Sequence, residues 1–257
     1  MLDQKITVRK IISSMKPYLQ YIIIAIAFIT GVYLIANAYQ YKFHSTETIV
    51  VTGLAETDFS SDQVVWRGSY NRTGTDLRQV YASIKADEQE IRQYLKSKGI
   101  PDSSFVFGSV NVEKNFQNTY NTSGQIIDTR FKGYTLTGDV TVDSRNIPLV
   151  ESVSREVTEL LQKGIEFNSG QPNYYYSKLN ELKIDLLAKA SEDAYLRATT
   201  IAKSSDAGLS KLKKATMGVF QITGKNNNEE YSYGGSFNTA SRQKTASITL
   251  RAEYLVK

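Results

Sequence analysis

The chain contains no cysteine. That absence excludes disulfides, thiol catalysis and zinc–thiolate sites together. Histidine is nearly missing as well, with His44 the single one. A Ser-His-Asp triad or a histidine metal site would have to use it, and it falls in a short polar stretch that reads as a linker. There is no G-x-S-x-G elbow and no G-x-G-x-x-G fingerprint. The stretch from Gly218 to Gly224-Lys225 is one residue too long for a P-loop and lacks the following Ser or Thr. No acidic residues fall at calcium-loop spacing. Asp87, Glu88 and Glu90 read as a solvated helix exterior, as do Glu192 and Asp193, so no carboxylate pair is forced into a cleft. The expectation is a protein with no catalytic residue, no cofactor and no metal.

Charge is missing from one long stretch. Pro17 to Tyr41 carries no charged side chain, and Leu19 to Ala36 is mostly apolar. A bilayer core about 30 Å thick needs roughly 20 apolar residues in a helix. Lys5, Arg9, Lys10 and Lys16 precede the run, against Asp3 alone, and Lys42 follows it. The positive-inside rule then keeps the N-terminus in the cytoplasm and exports the rest. Residues 1–18 are read as a basic cytoplasmic flank, 19–38 as a transmembrane signal anchor contacting the lipid bilayer, and 39–46 as a linker. Residues 47–257 are read as the exported domain. A signal peptide cleaved near Ala38 is the alternative, since Ala36-Asn37-Ala38 is an A-x-A-like site. The apolar run exceeds the usual h-region of about 7–15 residues, and Tyr21, Tyr33, Tyr39 and Tyr41 flank it like an interfacial belt.

Net charge follows from this topology. The whole chain is +5, while residues 1–16 hold four basic and one acidic side chain, leaving 27 basic and 25 acidic beyond them. No dense basic stripe with interleaved aromatics lies beyond the membrane, so no nucleic-acid partner is expected. Lys211, Lys213 and Lys214 form the one basic cluster and read as a solvated strand edge.

Periodicity predicts strands at 48–53 and 63–73 around a turn at 56–62, then a helix from Asp76 to Lys98 with a capping box at Asp76 and Gln79. Lys98-Gly-Ile-Pro101 stops it. Strands are predicted at 105–116 and 125–142 around a polar turn at 118–124. A helix follows from about Pro148 to Lys163, then a short strand at 165–167. The longest helix, 177–205, has an apolar face that turns to alanine and a C-cap at Gly208. Strands at 211–223 and 245–256 flank residues 224–244, a polar variable loop expected to be a hairpin tip or mobile. The fold class is α+β, with mostly antiparallel sheet and helices packed on one face.

Several segments together resemble the SIMPL domain family, also known as domain of unknown function 541. They are Ile49-Val-Val-Thr-Gly53, Lys98-Gly-Ile-Pro101, Lys132-Gly-Tyr-Thr-Leu-Thr137, Leu187 to Ala198 with Ile201-Ala202, and Ala246 to Tyr254. Ala55 stands where the family often has a second Gly, and Ser61-Asp62 where it often has Pro-Asp. The resemblance implies an exported or periplasmic, often membrane-associated protein with a tendency to self-assemble.

Aromatic side chains supply the candidate interface. Tyr174, Tyr175 and Tyr176 follow Pro172, and Tyr231, Tyr233 and Phe237 lie in the 224–244 loop. Tyrosines on loops bury area at low entropy cost; the competing reading is packing against the domain's own sheet. The sequence thus leads to a non-enzymatic, membrane-anchored scaffold component of the cell envelope, a homo-oligomer in contact with other envelope proteins. The alternatives are a ligand-binding or sensing module and a pore-like oligomer.

Overall fold

The computed structural model describes the backbone of residues 2–44, 47–227, 230 and 232–257, with side chains from residue 20 to 41 and throughout the later ranges. Helix α1 (Leu2–His44) comes first. Within it Gln20–Tyr41, 22 residues of mean hydropathy 2.1, is long and apolar enough to cross a membrane. The helix continues to His44 through the segment expected to be a linker, because no Gly or Pro after Gly31 interrupts it.

The rest of the chain runs β1 (Thr48–Ser60), β2 (Gln63–Gly74), α2 (Leu77–Ser97), β3 (Phe105–Phe107), β4 (Asn111–Tyr120), β5 (Ile126–Ser144) and α3 (Ile147–Glu156). It continues with a 3₁₀ turn (Val157–Lys163), β6 (Phe167–Ser169), β7 (Asn173–Tyr175), α4 (Leu179–Ser204), β8 (Leu209–Met217), β9 (Gln221–Gly224) and β10 (Gln243–Val256). The class is α+β. The six-stranded sheet has order β3-β5-β2-β6, with β4 also on β5 and β7 also on β2, and each of its pairings is antiparallel. The second sheet has order β1-β10-β8, with β9 on β10.

The chain divides into two compact units. The larger, residues 54–190 and 217–249, holds the six-stranded sheet. Alternate residues of β2 (Val64, Trp66, Tyr70) and β5 (Leu136, Val140, Val142) are almost wholly buried, as a half-buried strand requires. They share one cluster with Val80, Ile84, Ile91 and Leu95 of α2 and Val150 and Val153 of α3. Asp76 caps α2, accepting from the N–H of Arg78 at 2.8 Å and Gln79 at 3.1 Å. Asn146 caps α3. Trp66 donates its indole N–H to Ser169 Oγ and the Gly170 carbonyl, which satisfies the one polar atom of a buried ring.

The smaller unit comprises residues 1–53, 191–216 and 250–257. Ala194, Ala198 and Ala202 of α4 are buried at four-residue spacing, and small side chains let other backbone approach that face. Tyr195 meets Tyr254 edge-on at 6.0 Å. Val256 N–H donates to the Glu47 carbonyl, and Gly208 and Lys257 exchange backbone hydrogen bonds.

Several local expectations need correction. β1 runs on to Ser60 because alternation persists through the acidic stretch, with Ala55, Thr57 and Phe59 inward of Glu56 and Asp58. The strand expected at 105–116 breaks after Phe107, where Gly108 donates to the Asp139 carbonyl and leaves the ladder. The strand expected at 211–223 breaks at Gly218, which donates to the Thr249 carbonyl. At the end of α4 it is Asp206, at φ 51°, that adopts the left-handed conformation, while Gly208 pairs with Lys257.

Candidate functional site

Of the three acids expected on the solvated exterior of α2, Glu90 lies there, paired with Lys163 at 2.7 Å, and the other two do not. Asp87 and Glu88 are buried. Asp87 accepts a bidentate pair from Arg72, at 2.5 and 2.7 Å. Glu88 accepts from Lys85 and lies 3.8 Å from Arg92, whose guanidinium covers the Phe107 ring at 4.9 Å. Burial, followed by the nearby charges of Glu88, Asp139 and Asp87, raises the Tyr70 hydroxyl far above its ordinary range. Asp87 and Glu88 each have a cation already, and the Arg72–Asp87 pair ties helix to sheet. Among the described residues no group of three His, Asp or Glu side chains forms a metal-binding arrangement. The side chain of His44 lies outside the described residues.

The tyrosine triplet is drawn into the domain. Asn173–Tyr175 pairs with Gln63–Val65 of β2. Tyr174 packs on the core and donates its hydroxyl to Glu151 at 2.9 Å; burial first, then that bond, push its pKa up to about 12. Tyr176 stacks on Phe59 at 5.0 Å. Tyr175 is half-buried on the same short strand.

The 224–244 segment is irregular yet well tied. Gln221 accepts from the N–H of Ser232 and Ser236 and donates to the Ser232 carbonyl. Asn238 N–H reaches the Ile222 carbonyl, and Tyr174 N–H the Thr239 carbonyl. Tyr233 is completely exposed, and Phe237 is 54% exposed. Tyr231 lies outside the described residues. Two open clefts flank this segment. One of about 290 Å³ lies beside Leu54, Gln221, Tyr233 and Ile248, and one of about 480 Å³ beside Lys183, Phe220 and Phe237.

The most exposed apolar surface of the larger unit lies elsewhere. β2 pairs with β5 no further than Gly74↔Tyr134. Beyond that point residues 126–133 of β5 have β4 as their neighbour, making a two-stranded ribbon about 25 Å long. Asn121 closes its tip, its side chain accepting from Ser123 and Gln125 N–H. Cross-strand partners share a side, so Phe116↔Phe131 and Tyr120↔Ile126 line one face with Val112, with Lys114 and the hydrogen-bonded Asn118 and Thr129 between them. All five hydrophobic side chains are exposed. Phe116, Phe131 and Tyr134 stack edge-on at 5.8 and 5.1 Å, linking the ribbon to the core. The opposite face carries Glu113, Gln117, Thr119, Asp128 and Arg130, the last two paired at 2.6 Å. A two-stranded hairpin is marginal in water by itself. This one leaves roughly 500 Å² of apolar side chain in solvent, reckoning from the size of aromatic rings, within the range of the largest patches on monomers. Sequence reasoning marked both strands but not this face; the signal is the mismatch in length between β5 and β2.

The SIMPL family, described as a protein of unknown function (DUF541), matches residues 49–254. The chain is a member of that family. No curated protein matches it.

Proposed function

We propose that this protein is a non-enzymatic, membrane-anchored component of the cell envelope that assembles with copies of itself. α1 holds it in the cytoplasmic membrane with its N-terminus inside, and the SIMPL domain works on the far side. The observation that carries this reading is the apolar face of the β4–β5 ribbon. Two such faces together cover about 1,000 Å², close to the floor for a specific interface. A tether that confines copies to one plane raises their effective concentration and favours such lateral contacts. Tyr233 and Phe237 provide a second contact, to other copies or to other envelope proteins.

The test is the particle mass of full-length protein in mild detergent. Wild type is expected as a discrete multimer, and Phe116→Ser/Phe131→Ser as a much smaller particle with unchanged circular dichroism. Tyr233→Ala separates the second contact from the first. Because the chain lacks cysteine, Asn118→Cys, on the same face as Phe116 and Tyr120, gives a clean cross-linking probe: copies joined by their ribbons form disulfide dimers. A wild-type monomer, or a multimer indifferent to both aromatic substitutions and uncross-linked at residue 118, would sink the ribbon interface.

A further inference from the structure

The lysines of β8 and its surroundings have no role in the assembly surface. β8 is an edge strand of its sheet, and Lys211, Lys213 and Lys214 are exposed along it, with Leu212 half exposed among them. Its residues 209–217 include no acid. Lys203 at the end of α4 and Lys257 after β10 are exposed as well. Among the described residues, Lys213 is paired with Glu253 at 3.0 Å, which also attracts Lys214 at longer range, whereas Lys203, Lys211 and Lys257 make no ion pair. The exported segments of the smaller unit, 47–53, 191–216 and 250–257, carry seven basic and five acidic side chains; the larger unit carries nineteen and twenty. Positive charge is therefore concentrated in the unit that continues directly from the anchor.

Chain length keeps that charge near the bilayer. Glu47 follows Tyr41, the last residue of the apolar stretch, by six positions. No conformation carries it more than about 22 Å away. Val256 is hydrogen-bonded to Glu47, and its neighbour Lys257 to Gly208, so β8 begins at the same corner. Lys211 is three residues on, within about 11 Å of Gly208. The tether leaves this corner free to reach the surface, and in orientations that bring it down the lysines meet the field of anionic headgroups, which acts within about a Debye length of 8 Å.

We infer that Lys203, Lys211, Lys214 and Lys257 dock on the anionic headgroups of the bilayer that α1 enters, fixing the orientation of the sheet over the membrane. Lys213 is held back by Glu253. Leu212 provides an apolar contact at headgroup depth. The inference rests on the reading of α1 as a membrane anchor.

The experiment is amine labelling of full-length protein in lipid nanodiscs, read residue by residue by mass spectrometry. Discs of phosphatidylcholine alone are compared with discs containing about one third phosphatidylglycerol. Lys203, Lys211, Lys214 and Lys257 are expected to react at least several-fold more slowly in the anionic discs, with protection lost in high salt. Lys163 and Lys189, in the larger unit, serve as controls. Lys203→Gln/Lys211→Gln/Lys214→Gln should abolish the remaining lipid-dependent protection at Lys257 with an unchanged thermal midpoint. Equal labelling in both discs overturns the inference and leaves the anchor standing. Failure to enter discs at all overturns the anchor, and the inference with it. Protection by inorganic phosphate in neutral discs, equal to that by anionic lipid, assigns the lysines to a soluble anion and rejects the bilayer.

Discussion

Single side chains on α2 show how burial and polarity compete. The series Val80, Ile84, Ile91, Leu95 was legible from spacing alone, and all four are buried. The same period puts Asp87 and Glu88 on that face between Ile84 and Ile91. Reading them as solvated followed their charge instead of their position; their partners, Arg72 fifteen residues earlier and Arg92 one turn later, are what make burial tolerable. Leu77 and Tyr81, by contrast, stay 40% and 49% exposed. Arg72→Met leaves the Asp87 carboxylate in the interior without its cation. The expected cost is about 2–3 kcal/mol, measured by urea denaturation followed through Trp66, the chain's single tryptophan. Adding Asp87→Leu should recover much of it. A loss below about 0.5 kcal/mol, typical of a solvated surface pair, would show that solvent reaches the carboxylate.

Among elements, the β4–β5 ribbon is where local pattern and tertiary context part company. Both strands and the turn between them were readable. That the outer half of β5 has no second neighbour was not, because it depends on where β2 stops. The irregular step at the ribbon's base depends on Gly133, at φ 133°, where a Cβ would lie 2.4 Å from the Gly74 carbonyl oxygen. Lys132 has no opposite residue there, since Asn115 pairs with Gly133 and Phe116 with Phe131. Gly133→Ala should therefore strain the ribbon's root by about 1–3 kcal/mol. Amide exchange is the measurement: protection should fall at residues 112–120 and 126–133 while Val140 and Val142 keep theirs. Uniform protection in the variant would show that the backbone absorbs the methyl group elsewhere. The tyrosine triplet teaches the opposite lesson. Its alternation within a strand was legible, but its partner strand, more than a hundred residues earlier, was not.

Across the whole molecule, stability should be bounded on the acid side. Glu156 lies below its ordinary pKa of 4.5, held there by a hydrogen bond from Lys98 and then one from Ser152. Asp102 is lowered from 3.8 by Lys96, and Asp58 from 3.8 by Lys225 and then Thr245. Each depressed carboxylate contributes stability that is fully present above its ordinary pKa and lost as pH falls through its folded value. The thermal midpoint should hold from neutral pH to about pH 5 and decline below about pH 4. Lys98→Met should make that decline shallower; an identical acid limb would remove Lys98 from the account. The order of strands carries one more consequence, this time for how the domain is made. β1 follows α1 closely, yet its neighbour β10 is the last strand of the fold, some 190 residues later. During synthesis β1 emerges early and waits unpaired until β10 has been made. The closing pair is of high contact order, so this sheet is completed last, and every copy passes through a stage with one bare strand.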